Sequence, residues 1–99
     1  MDVFSRTELL LGQAGMERLK KARVAVFGLG GVGGYAAEAL ARSGVGALDL
    51  VDNDIVSETN INRQIVALLS TVGKRKTEAA AARIKDVSPA CAVRCFDLF

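Results

Sequence analysis

Between Asp52 and Gln64 the chain gathers Asp52, Asn53, Asp54, Glu58, Thr59, Asn60, Asn62, Arg63 and Gln64. Carboxylates at such positions can grip sugar hydroxyls, and amides can meet sugar or phosphate oxygens without adding charge. A guanidinium forks onto two phosphate oxygens, and Lys76 beyond it supplies a mobile cation. Upstream, Gly28, Gly30 and Gly33 stand in G-x-G-x-x-G order within "GLGGVGG". The first glycine permits a tight turn, the second admits a phosphate close to the backbone, and the third lets helix and strand pack closely. Taken together, these types and spacings point to nucleotide binding.

The elements that must position these groups are legible from periodicity. "RVAVF" (Arg23 to Phe27) is β-branched and apolar, a buried strand; "YAAEALARSG" after the glycines is helix-forming, with Gly44 as its stop. "ALDLVD" (47 to 52) reads as a second buried strand, and residues 74 to 87 as an alanine-rich helix ended by Pro89. "CAVRCFDLF" is expected to form a third strand running to the last residue. A short amphipathic helix from Gln13 to Ala22 precedes them all. Strands alternating with helices predict an α/β, Rossmann-like parallel sheet with helices on both faces, the N-terminal half of a doubly wound fold. A half-sheet leaves apolar edges and faces uncovered, so residues 1–99 are read as the N-terminal part of a longer protein.

Composition narrows the class. The chain has 99 residues, 51% hydrophobic and 24% charged, with a net charge of +2, which suits a globular domain and makes no case for nucleic acid by itself. Lys20-Lys21-Ala22-Arg23 and Lys74-Arg75-Lys76 read as solvated helix ends. Asp2, Arg6 and Glu8 interrupt the start before any signal-peptide core can form, and the longest uncharged stretch is too short to span a bilayer. A cytoplasmic location and no membrane partner are expected. Cys91 and Cys95, with no histidine in the chain, cannot complete a four-ligand zinc site of Cys and His. They are expected to be buried, reduced thiols, and no metal-ligating residues are assigned.

The dinucleotide reading of the glycine turn requires an acidic residue after the second strand and little more. Here Asp52, Asp54, Asn60, Asn62, Arg63, Gln64 and Lys76 follow, a set that suits the charge of a triphosphate better. Walker A does not explain the turn, because Gly73-Lys74 is followed by Arg75 rather than Ser or Thr. Two plainer readings stand beside this one: Asn60 and Asn62 as turn caps, and Arg63 paired on the surface with Asp54.

"GLGGVGGYAAEALARSGVGALDLVDNDIVSETNINRQ", with "FSRTELLLG" before it and the lysine after "VG", resembles the ThiF/MoeB/HesA family, bacterial relatives of ubiquitin-activating enzymes. The resemblance implies an ATP-dependent adenylating enzyme: a substrate carboxylate attacks the α-phosphate of ATP and pyrophosphate leaves. It implies that Gly31 lies against the nucleotide, that Asp52 holds the ribose, and that Asn60, Arg63 and Lys76 contact phosphates. Arg6 would reach the triphosphate from the partner subunit of a homodimer, while Asp54 and Gln64 match family positions at the nucleotide site. Arg6, Arg63 and Lys76 are thus the expected catalytic residues, and Mg²⁺ is expected with ATP. A carboxylate is already nucleophilic at neutral pH, so the absence of histidine is no obstacle.

Within the family, "FSRTELLLG", "YAAEALARSGVG" and "TNINRQIVAL" look closest to the branch that dehydrates threonylcarbamoyladenosine in tRNA. That implies tRNA as substrate, with adenylation of its threonylcarbamoyl carboxylate leading to cyclisation. Adenylation of a ubiquitin-like sulfur-carrier protein is the alternative, and an NAD(P)-dependent oxidoreductase or a non-catalytic nucleotide-binding module is another. These 99 residues alone are expected to bind ATP weakly and to turn nothing over.

Overall fold

The computed structural model describes residues 4–98. In chain order it contains α1 (Ser5–Lys21), β1 (Arg23–Phe27), α2 (Val32–Ser43), β2 (Ala47–Val51), a single 3-10 turn (Glu58–Asn60), α3 (Lys76–Val87) and β3 (Ala92–Phe96). The strands form one parallel sheet in the order β1-β2-β3. Val26 pairs with Leu50 and Leu50 with Cys95; one step back, Val24 pairs with Leu48 and Leu48 with Val93. Period-two alternation puts these residues on one face. There all of them except the exposed Cys95 join Leu29, Ala37, Ala41, Val45, Val56, Val66, Ala79, Ala80 and Ile84 in or against the core.

The parallel Rossmann-like sheet is as the sequence predicts. Its crossover helices α2 and α3 pack on each other over the same face, since crossovers of one hand that step in one direction across a sheet land on one side. The other face carries Arg23, Ala25, Phe27, Asp49, Arg94 and Phe96. Its polar centre is Asp49, gripped by Arg94 through two hydrogen bonds of 3.0 and 3.1 Å, with Arg23 at 3.8 Å. Phe27 on this face is 76% exposed.

Several boundaries differ from expectation. The first helix begins at Ser5, not Gln13, and breaks at Gly12, whose φ of 76° and ψ of 167° are not helical. The expected helix is therefore its second half. The break folds the chain back so that Phe4 and Met16 both reach Gly44, at the far end of α2. Helix α2 starts at Val32 rather than Tyr35, taking Gly33 and Gly34 into its first turn. Lys74 and Arg75 precede α3, because Arg75 is extended and bridges Ile55. β3 ends at Phe96, short of the expected end at the last residue; Phe99 lies outside the described residues.

Two contacts set the position of α2. A Cβ at Gly33 would stand 1.7 Å from the Gly28 carbonyl oxygen, so the first helical turn lies directly on the strand-to-turn backbone. On the opposite flank, Glu38 accepts from Arg83 of α3 at 2.8 Å and from Arg42 at 3.3 Å. Gly33→Ala is expected to cost about 3 kcal/mol, the upper range for overpacking, because the clash is with backbone. Chemical denaturation of the variant checks this.

The Arg83 hydrogen bond holds the Glu38 carboxyl below its ordinary value of 4.5, against the opposing effect of burial. A carboxylate with a depressed folded pKa stabilises the fold above its unfolded value and loses that contribution as pH falls through the folded one. Glu38→Gln should therefore cost about 1 kcal/mol at neutral pH. The gap to the parent protein should close as the solution is acidified below pH 4.5, as measured by urea unfolding at a series of pH values.

Candidate nucleotide-binding site

The predicted glycines, acidic residues and Lys76 meet at the C-terminal ends of the strands, where open α/β sheets bind their ligands. The ladder bonds continue past the strands: Gly28 N–H donates to the Val51 carbonyl at 2.8 Å and Asp52 N–H to the Phe96 carbonyl at 3.1 Å. The chain ends of β1, β2 and β3 are thereby aligned. A cavity of about 350 Å³ lies over them, lined by Phe27, Gly28, Val51, Asp52, Asn53, Asp54 and Leu98.

Asp52 is the junction of this edge. Its Oδ2 accepts the Leu29 N–H and its Oδ1 the Asp54 N–H, both at 2.7 Å. The Asp54 carbonyl then accepts the Lys76 N–H at 3.0 Å, and the Asp54 carboxylate stands 3.7 Å from Lys76 Nζ. The cation of Lys76 is thus held at the edge although the residue is only 6% exposed.

The glycine turn is open where a ligand would approach. Gly28 (φ 83°) and Gly31 (φ 62°) adopt conformations that side chains disfavour, and a Cβ at either would meet nothing within 4 Å. The N–H groups of Gly30 and Gly31 donate to no partner among the described residues. Free N–H groups at the start of a helix form an anion site. Gly30 departs from expectation: the space its missing side chain leaves is filled by Gln64, whose Nε2, Cδ and Oε1 would lie 3.0, 3.2 and 3.3 Å from a Cβ there.

The segment from Ser57 to Gln64 is more tightly folded than a loop. Ser57 and Asn60 form a reciprocal cap on the 3-10 turn, with Asn60 Oδ1 accepting the Ser57 N–H at 3.0 Å. Of the plainer readings, capping by Asn60 therefore holds, whereas Asp54 pairs with Lys76 and not with Arg63. Arg63 Nη1 instead donates to the Thr59 carbonyl and to Asn62 Oδ1, each at 2.8 Å, and the residue is exposed. Gln64 is partly buried.

Arg6 does not join this group. It lies two residues from Phe4, which touches Gly44 at the C-terminal end of α2. The 12 residues of α2 separate that end from the glycine turn by about 18 Å. The cysteines also stand apart. Cys91 is buried as expected, but Cys95 is exposed, because the strand carries it to the open edge of the sheet. Burial pushes both thiols up, aided at Cys95 by Asp97, so neither is primed as a thiolate.

Sequence reasoning missed the apolar walls Phe27, Val51 and Leu98. A signal for Leu98 existed: it continues, two residues on, the alternation that puts Phe96 on the same face as Val51. Among the described residues no cluster of three or more His, Cys, Asp or Glu is placed to hold a metal ion. Any Mg²⁺ here would be held chiefly through phosphate oxygens, as is usual for that ion.

Comparison with known proteins agrees with this geometry. The chain is 57% identical over 96 residues to a tRNA threonylcarbamoyladenosine dehydratase of Bacillus subtilis, covering 97% of this chain and 38% of that protein. It is 41% identical to a probable adenylyltransferase/sulfurtransferase MoeZ of Mycobacterium tuberculosis, over 89% of this chain and 22% of that one. Its fold superposes with a TM-score of 0.95 on E. coli tRNA N6-threonylcarbamoyladenosine dehydratase, TcdA, crystallised with ATP. That match is 47% identical and covers 97% of this chain and 40% of that chain. The chain thus spans well under half the length of these relatives. Residues 4–99 match the ThiF family, and with the glycine turn, the Asp52 junction and the Asn-x-Asn-Arg-Gln segment in place, the chain belongs to that family.

Proposed function

We infer that this chain forms the ATP-binding part of an enzyme that adenylates a carboxylate. The observation that carries the reading is the glycine turn, which begins at Gly28 in the lining of the cavity at Asp52 and whose Gly30 and Gly31 N–H groups have no partner among the described residues. Each Asp52 oxygen already accepts one N–H and keeps a further lone pair, enough to accept from a ribose hydroxyl. Gly28, Gly30, Gly31 and Gly33 shape the phosphate turn, with Gly31 closest to the nucleotide. Lys76 and Arg63 supply positive charge to phosphates, and Asn60 offers an amide N–H that its cap leaves free.

ATP supplies the leaving group. A carboxylate oxygen bonds to the α-phosphorus, the bond to the β-phosphate oxygen breaks, and pyrophosphate departs with its electron pair. The residues do this by positioning and charge stabilisation alone. Mg²⁺ accompanying ATP would share that neutralisation. Arg6, far from the site of its own chain, is assigned to the site of a second copy. Leu9 and Leu10, 86% and 87% exposed on the same half-helix, suit burial in such a homodimer.

The carboxylate is that of threonylcarbamoyladenosine in tRNA, a reading supported by the 57% identity to the Bacillus subtilis dehydratase; activation lets it cyclise. The C-terminus of a ubiquitin-like sulfur-carrier protein is the second reading, supported by the likeness to MoeZ. Residues 1–99 are the N-terminal part of a ThiF-type domain, and the protein works in the cytoplasm. Among the described residues no helix is long and apolar enough to cross a membrane.

Arg63→Ala should weaken Mg·ATP binding about tenfold or more by removing a charge-assisted contact, while NAD held at the turn and Asp52 would be barely affected. Paired calorimetric titrations of parent and variant decide between them: NAD binding without ATP binding would restore the oxidoreductase reading. In the protein that contains this chain, Lys76→Met should lower ATP–pyrophosphate exchange about 100-fold. An unchanged exchange rate would remove Lys76 from the reaction.

A further inference from the structure

Lys76 is held through two carboxylates. Asp54 meets its N–H with a carbonyl and its ammonium with a carboxylate. The second is Asp97, the first residue after β3. One Asp97 oxygen accepts the Thr77 hydroxyl at 2.5 Å, and the other lies 3.5 Å from Arg75 Nη1. Arg75 and Thr77 are the chain neighbours of Lys76, so one carboxylate grips the residue before it and the residue after it. Cys95 of β3 adds a weaker bond, from its thiol to the Thr77 carbonyl at 3.5 Å. The start of α3 has no local cap, because its N-cap residue Arg75 makes no side-chain cap hydrogen bond. Asp97 supplies the negative charge that favours a helix N-terminus, from 20 residues away. Thr77 is 1% exposed, so its hydroxyl has no water to turn to. The Asp97 side chain is 34% exposed, so water can replace the hydroxyl there. The pairing therefore matters more to the helix start than to Asp97.

Resting on the adenylation reading above, in which Lys76 brings positive charge to the phosphates, we propose that Asp97 is a positioning residue for that reaction. By fixing Arg75 and Thr77 it sets the rotation of the first turn of α3, and with it the direction in which the Lys76 side chain leaves the helix. Successive helical residues point about 100° apart, so a turn pinned on both sides of Lys76 fixes the residue between. The ammonium itself is left to Asp54, whose carboxylate at 3.7 Å is 66% exposed and holds it only as a solvated ion pair does. An arriving phosphate can take the ammonium over from Asp54 without the helix start moving. Stabilisation by charge depends on that placement, since a misplacement of about 1 Å costs on the order of 100-fold in rate.

The test is ATP–pyrophosphate exchange by the protein that contains this chain, with kcat and KM for ATP measured separately. Urea unfolding of every variant allows the rates to be expressed per folded molecule. Thr77→Val keeps the shape and loses the hydroxyl. The Asp97→Ala/Thr77→Val pair removes both partners, so that no buried hydroxyl is left unpaired. Each should lower kcat about tenfold and leave KM for ATP within about twofold, because the ribose and glycine-turn contacts are untouched. Thr77→Ser, which keeps the hydroxyl, should exchange like the parent. In a Lys76→Met background Thr77→Val should cost nothing further, since it acts only through that lysine. Parental kcat in Thr77→Val and in the pair would overturn the proposal. So would a second loss of about tenfold in the Lys76→Met background, the mark of a residue that acts without Lys76. If the parent shows no exchange, or Lys76→Met exchanges as the parent does, the reading of Lys76 falls first and this proposal with it.

Discussion

The carboxylate of Asp52 holds the functional edge of the molecule together. One oxygen accepts the Leu29 N–H from the glycine turn and the other the Asp54 N–H from the following loop. From Asp54 the connection runs on to the first residue of α3 through its carbonyl and the Lys76 N–H. The Asp52 side chain therefore ties the turn after β1 to the loop after β2, and Asp54 carries the connection to the start of α3. Shortening it or removing its charge would remove the bonds to the Leu29 and Asp54 N–H groups together. Hydrogen bonds to a charged acceptor are the stronger kind, which suits a group on which so much of the geometry hangs.

The same economy runs through the polar segment after β2. Residues with phosphate-binding chemistry also fold their own loop: Asn60 caps the turn that begins at Ser57, and Arg63 is steadied by Thr59 and Asn62. Internal bonds of this kind reduce the ordering cost of any contact these side chains make, because they are already held in place. The glycine turn contributes differently, by leaving N–H groups unpaired and Cα atoms bare. Rigidity in one wall and vacancy in the other make a site that can receive a charged ligand without rearranging the sheet.

The two faces of the sheet carry different chemistry. The face under α2 and α3 is packed with leucine, valine, isoleucine and alanine. The opposite face mixes the exposed Phe27 and the partly buried Phe96 with the Arg23–Asp49–Arg94 cluster. The chain spans 36–38% of the length of the Bacillus subtilis and E. coli dehydratases it matches. Its described residues contain the glycine turn after β1 and the polar loop after β2.

Sequence alone determined what depends on neighbouring residues. Strands at 23–27 and near 47–52, the helices after them, the glycine turn and an acidic residue at the end of the second strand follow from alternation, helix propensity and the φ demands of glycine. Family membership was legible too, because "GLGGVGG" and "NINRQ" stand in the right order. Tertiary structure decided what depends on residues far apart in the chain. It placed Gln64 in the gap at Gly30, paired Asp54 with Lys76 rather than Arg63, set Leu98 against the cavity, stacked both crossover helices on one face, and turned Arg6 away from the site of its own chain. Local pattern specifies which face of an element is apolar and where the backbone must bend. Which remote side chain fills a given space is settled only when close packing brings the segments together, since excluded volume and hydrogen-bond satisfaction are properties of the assembled fold.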